Sequence, residues 1–137
     1  MSQTNKKNEL IIWASSKIGK PFIWGESDCS TLTLEGISLY YGNIFNLKNI
    51  WGSLKKALRA YEIYGTPINI LKQAGFISVN KKYEQTGDIF VLSVKNYYLV
   101  GVIINQSVLT SDEGKKIVLR PINTFNNYIC YRKEISN

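Results

Sequence analysis

The stretch Pro21-Phe22-Ile23-Trp24-Gly25-Glu26-Ser27-Asp28-Cys29-Ser30 holds the residues best suited to chemistry. It has the form of a loop delivering a cysteine to the start of a helix. A thiol in a helix's first turn meets unpaired backbone N–H groups and the positive end of the helix dipole, and both favour the nucleophilic thiolate. Asp28, directly before Cys29, opposes this, because a neighbouring negative charge disfavours ionisation of the thiol. A thiolate can attack a carbonyl, but cleaving an amide also requires a proton for the departing nitrogen. Histidine normally supplies it, since its pKa lies near neutrality. The chain contains no histidine. Lysine, tyrosine or a carboxylate could stand in only with a strongly shifted pKa. The plain alternative is that Cys29 packs, as free cysteines commonly do.

The elements that must position this cysteine come from periodicity. Leu10, Trp13, Ala14 and Ile18 recur at helical spacing and predict a helix over Lys7–Lys17, ended by Gly19 and Pro21. Ser27 or Asp28 is suited to cap a second helix, Cys29–Tyr41, whose expected buried face is Leu32, Gly36, Leu39 and Tyr40. Gly36 costs this helix about 1 kcal/mol against alanine, which marks a site of close packing. Gly42-Asn43 stops it. A third helix is expected over Trp51–Tyr64. Thr66-Pro67 then opens a short one, Pro67–Gln73, ending at Gly75.

From there the period becomes two. Strands are expected over Phe76–Val79, Asp88–Val94, Tyr97–Asn105, Ser107–Thr110, Lys116–Arg120 and Tyr128–Arg132. Lys95-Asn96, Asn105-Gln106 and Asp112-Glu113-Gly114 supply the turns. Asp88 is expected to bond backbone at a turn into its strand, and Cys130 to be a core residue. Helices first and strands afterwards predict an α+β fold, one domain over residues 1–137, with N-terminal helices packed on a meandering antiparallel sheet or half-barrel.

Composition narrows the function classes. No apolar run is long enough to cross a bilayer. Residues Met1 to Glu9 lack the pattern of a secretory signal, so synthesis in the cytoplasm without export by that route is expected. Two distant cysteines without histidine do not make a zinc site, and no metal or cofactor is expected. Lysine and arginine number 17 against 10 acidic residues, a net charge of +7. These basic residues form scattered pairs with no run of five, so the charge reads as solvated faces in preference to a nucleic-acid footprint.

Three motifs together resemble the NlpC-type peptidases, a papain-like group that cleaves peptide bonds in bacterial cell walls. They are Pro21 to Ser30 around the cysteine, Gly87-Asp88-Ile89-Phe90-Val91 opening the sheet, and Leu99-Val100-Gly101-Val102-Ile103-Ile104. The third matches the strand that carries the family's histidine just before Val-Gly. Ser107 to Pro121 is similar to the hairpin that follows. The resemblance covers about Lys7 to Arg120 and is nearest to short single-domain proteins encoded among bacteriophage tail genes. It implies a papain-like fold in which Cys29 takes the nucleophile's position and Leu99 that of the lost histidine. Trp24, Asp28 and Tyr98 flank these positions as candidate binding residues, and Ser111 or Asp112 stands where a third, polar orienting residue belongs. It further implies a catalytically inactive domain serving structure or assembly in a phage tail, hence located in the virion, with other tail proteins and peptidoglycan as partners. The alternative it implies is an active cysteine peptidase or amidase acting on peptidoglycan stem peptides, with an unusual base or one lent by a partner.

Overall fold

The computed structural model describes residues 3–23, 26–45, 65–95, 97–111 and 115–134. Within them the chain is α+β. Three α-helices, α1 (Gln3–Lys17), α2 (Cys29–Tyr41) and α3 (Pro67–Gln73), precede six strands. The strands are β1 (Ile77–Val79), β2 (Ile89–Val94), β3 (Tyr97–Ile104), β4 (Ser107–Thr110), β5 (Val118–Pro121) and β6 (Ile129–Arg132). A 3₁₀ turn, Ile122–Thr124, lies between β5 and β6 and was not expected from the sequence. Helix α1 begins a turn earlier than Lys7, while α2 and α3 have the expected bounds. The helix expected over Trp51–Tyr64 lies outside the described residues.

All strand pairs are antiparallel, in the order β1-β6-β2-β3-β4-β5. From β2 to β5 the sheet meanders, with Val94 opposite Tyr97 and Ile104 opposite Ser107 across two residues at either end of β3, and Thr110 opposite Val118 across a longer connection. The meander breaks at β6, which returns between β1 and β2 and pairs with both. That placement buries Cys130 and Tyr131, at 2% exposure each, and leaves three-residue β1 as one of the two edges. Such short edge strands offer little surface for unwanted pairing.

The sheet is covered on both faces. On the helical face Val100, Val102 and Ile104 pack with Leu10, Ala14, Leu32, Ile37 and Tyr40. On the other, Phe90, Leu99, Ile103, Val108 and Cys130 form a second cluster closed by Phe125, whose ring lies 4.8 Å from that of Phe90. Central strands covered twice read as continuous apolar runs, which accounts for Leu99–Ile104.

The face of α2 differs by one position from expectation. Leu32, Thr33, Gly36, Ile37 and Tyr40 are buried, whereas Leu39 is exposed, because the stripe follows 3.6-residue spacing from Leu32. Ile18 is likewise exposed, since α1 ends at Lys17. Gly36 is the contact point of three elements. A Cβ there would lie 2.9 Å from Val102 Cγ2 and 3.0 Å from Trp13 Cη2. Trp13 is half-buried over this spot and donates its indole N–H to Glu35 at 2.9 Å.

Candidate functional site

Cys29 is the first residue of α2, and Asp28 is its N-cap. Asp28 is extended (φ −69°, ψ 163°), and its Oδ1 accepts the Thr31 backbone N–H at 2.8 Å. Its Oδ2 accepts the Thr31 hydroxyl at 2.8 Å. A carboxylate here satisfies one of the helix's unpaired donors and complements the dipole. Asp28 is 2% exposed, so its two oxygens serve the cap and hold the start of α2 in place. Of the two capping candidates, Ser27 has a different task. Its Oγ accepts the Ile23 N–H at 2.9 Å and donates to the Pro21 carbonyl at 2.6 Å, closing the loop before the helix.

The same loop is tied to the sheet from outside. Gly19 N donates to Ile117 O, Ile117 N to Lys20 O and Phe22 N to Lys115 O, at 2.7–2.9 Å. Ser111, 1% exposed at the end of β4, donates its hydroxyl to Ser27 O at 2.8 Å. Ser111 therefore fastens the cysteine loop to the strand layer from the region where a polar orienting residue was expected. Asp112 lies outside the described residues, as does Trp24.

The sulfur-bearing residue sits at the seam of the two apolar clusters. Cys29 is half-buried and packs against both. Leu99, 8% exposed on β3 opposite Leu92, belongs to the second cluster. Tyr98, its neighbour, packs against the first cluster, because successive strand residues point to opposite faces. The structure thus brings Cys29 together with the cluster containing Leu99 and divides Tyr98 from Leu99 across the sheet. Cys130 is buried in the second cluster, and its thiol is pushed up to about 12, first by burial and then by the charges of Glu84 and Asp88. Both cysteines are free thiols. Among the described residues no cluster of three potential metal ligands forms.

A second polar centre lies at the other end of α2, at Gly87-Asp88. Asp88 is 2% exposed, and its Oδ1 and Oδ2 each accept a 2.7 Å bond from Arg132, through Nε and Nη2. Oδ2 also accepts the Gln85 N–H at 2.8 Å, the backbone role expected from the sequence. Arg132 further donates to the Tyr83 carbonyl at 2.9 Å. The arginine was invisible as a partner in the sequence, since the pair joins residues 44 apart through the return of β6. The only local signal was a charged residue closing an apolar strand.

The described residues thus define an α+β domain with a capped, cysteine-headed central helix laid on a six-stranded antiparallel sheet. The chain belongs to the family described as Domain of unknown function (DUF6950), whose model matches residues 3–128. No curated protein matches it. No helix among the described residues is long and apolar enough to cross a membrane.

Proposed function

We propose that the domain is a catalytically inactive papain-like scaffold of NlpC type that serves structure or assembly in a bacteriophage tail. The observation that carries this reading is the environment at the position of the lost base. Leu99 stands there, buried in an apolar cluster against which Cys29 packs, in a chain without histidine. A hydrolase of this type needs a group near neutral pKa to take and return a proton. An aliphatic side chain can do neither. Asp28, which could have served as a polar neighbour, is committed to the helix cap. What remains is a packed unit in which Ser27 is bonded to Ser111 at the end of β4, and Gly19, Lys20 and Phe22 to the Lys115–Ile117 segment. The three sequence motifs support the assignment to tail proteins. The reading predicts that the chain co-sediments with purified, nuclease-treated particles and with isolated tails of the phage that encodes it. Its absence from both fractions would refute the tail role.

One observation favours the enzymatic alternative. Cys29 is only half-buried, and it occupies the first helical residue, where thiolates are stabilised. On that reading Cys29 is alkylated at neutral pH faster than a free-thiol reference. On the scaffold reading the rate is equal or lower.

A further inference from the structure

At the C-terminal end of α2, about 18 Å along the helix from Cys29, a cavity of about 330 Å³ opens between the helix end, the Gly87 turn and the end of β6. The volume falls at the low end of the ~300–1,000 Å³ range of small-molecule sites. Its walls include Tyr40, Tyr41, Asp88, Arg132, Lys133 and Glu134. We propose that this cavity binds a small molecule through an oxyanion, a carboxylate or a phosphate.

Three groups carry the inference. Tyr40 is 4% exposed and lines the cavity, yet no group among the described residues hydrogen-bonds its hydroxyl. Among the described residues the buried side-chain oxygen left without a partner is Thr33 Oγ1, so the Tyr40 hydroxyl is open to the cavity and can donate to a ligand oxygen there. Burial, chiefly, and the charge of Asp88 raise the pKa of Tyr40, so near neutral pH it is a donor.

The second group is the Arg132 guanidinium. Nε and Nη2 are occupied by Asp88 and the Tyr83 carbonyl, which leaves the two N–H groups of Nη1 with no partner among the described residues. Asp88 fixes the guanidinium plane, so little side-chain entropy remains to be lost when an oxyanion meets Nη1. The third group is Lys133. Its Nζ gives one bond to the Ala74 carbonyl at 2.6 Å, and its other two N–H groups remain available.

The balance of charge favours an anion at the mouth. Inside, Asp88 offsets Arg132, and Glu134 offsets Lys133. Lys6 and Lys7 then add two cations beside the opening, with Nζ atoms 3.4 Å from the Tyr40 carbonyl and 3.3 Å from Gln85 Oε1. Glu134 is exposed, so water screens its repulsion. Gly87 lets the turn lie close against the Tyr40 ring. At φ +99° it adopts a conformation side chains rarely take, and a Cβ there would lie 2.4 Å from Tyr40 Cε2. The site is remote from Cys29, so it stands whether the scaffold or the enzyme reading holds.

The test is amide chemical-shift perturbation on the whole chain, titrated separately with sodium phosphate and sodium acetate, with sodium chloride at matched ionic strength as the control. Saturable shifts at Tyr40, Gly87 and Lys133 with phosphate or acetate are expected, and the stronger of the two names the oxyanion class. Tyr40→Phe keeps the ring and removes only the hydroxyl, and Lys133→Gln alters a half-exposed side chain. Each should weaken binding at least about fivefold while the remaining spectrum stays unchanged. Shifts that fail to saturate, that chloride reproduces, or that both variants leave intact would overturn the proposal.

Discussion

Asp28 holds two roles in one side chain: it stands directly before the cysteine, where a negative charge opposes thiolate formation, and it is the N-cap of α2. Asp28→Ala should therefore cost about 1 kcal/mol, read as a lower urea midpoint with an unchanged slope, as N-cap deletions usually do. The Asp88–Arg132 pair carries more. Asp88 is 2% exposed and its partner 35%, so Arg132→Met leaves a nearly buried carboxylate without its counterion. A loss of about 3 kcal/mol in unfolding free energy is expected, near the lower bound for breaking buried pairs because Arg132 is partly solvated. Titration adds a third prediction. The Cys130 thiol lies near 12 in the folded chain against an ordinary value of 9.0, and the Tyr128 hydroxyl also lies near 12 against 10.0, through burial and its bond to Glu84. Both raised values mean that the folded state holds its protons more tightly than the unfolded one. Their stabilisation is complete below about pH 9 and is lost as pH rises toward 12. Each group gives a slope of at most about 1.4 kcal/mol per pH unit. Denaturation midpoints from pH 8 to 11 should fall above pH 9, and less steeply in Cys130→Ala.

Among the elements, α2 carries the most information, and much of it was legible. Its bounds followed from a cap at Ser27 or Asp28, which the structure assigns to Asp28, and from Gly42, and Gly36 correctly marked a tight contact. That contact yields a prediction with two opposing magnitudes. Gly36→Ala would add about 1 kcal/mol of helix propensity. The new Cβ, however, lands 2.9 Å from Val102 and 3.0 Å from Trp13 in a packed core, where overfilling costs about 1–3 kcal/mol. A net loss of about 1 kcal/mol is expected by equilibrium unfolding, and relief in Gly36→Ala/Trp13→Leu would show that the clash is its cause. What the sequence concealed was non-local. The place of β6 between β1 and β2 depends on pairing across the whole C-terminal half, and no local residue preference encodes it. The exposure of Leu39 followed from a stripe one position away, and the 3₁₀ turn at Ile122–Thr124 had no periodicity to announce it.

At the scale of the molecule, the two ends of α2 have separate characters. One end presents a thiol at the junction of two apolar clusters, and the other opens on a cavity walled by tyrosines and charged groups. The cysteine end was legible because its loop and cap are contiguous in sequence from Pro21 to Thr31. The cavity end was not, because Tyr40, Gly87 and Arg132 meet only after the sheet has formed. The central claim is that a cysteine packed between two apolar clusters, in a chain without histidine, serves the architecture of the domain. The most direct measurement is to incubate the purified protein and its Cys29→Ala variant with peptidoglycan stem peptides and to follow product formation by mass spectrometry. The scaffold account predicts no cleavage above the buffer control for either protein. Cleavage by the wild-type chain that disappears in Cys29→Ala would contradict it.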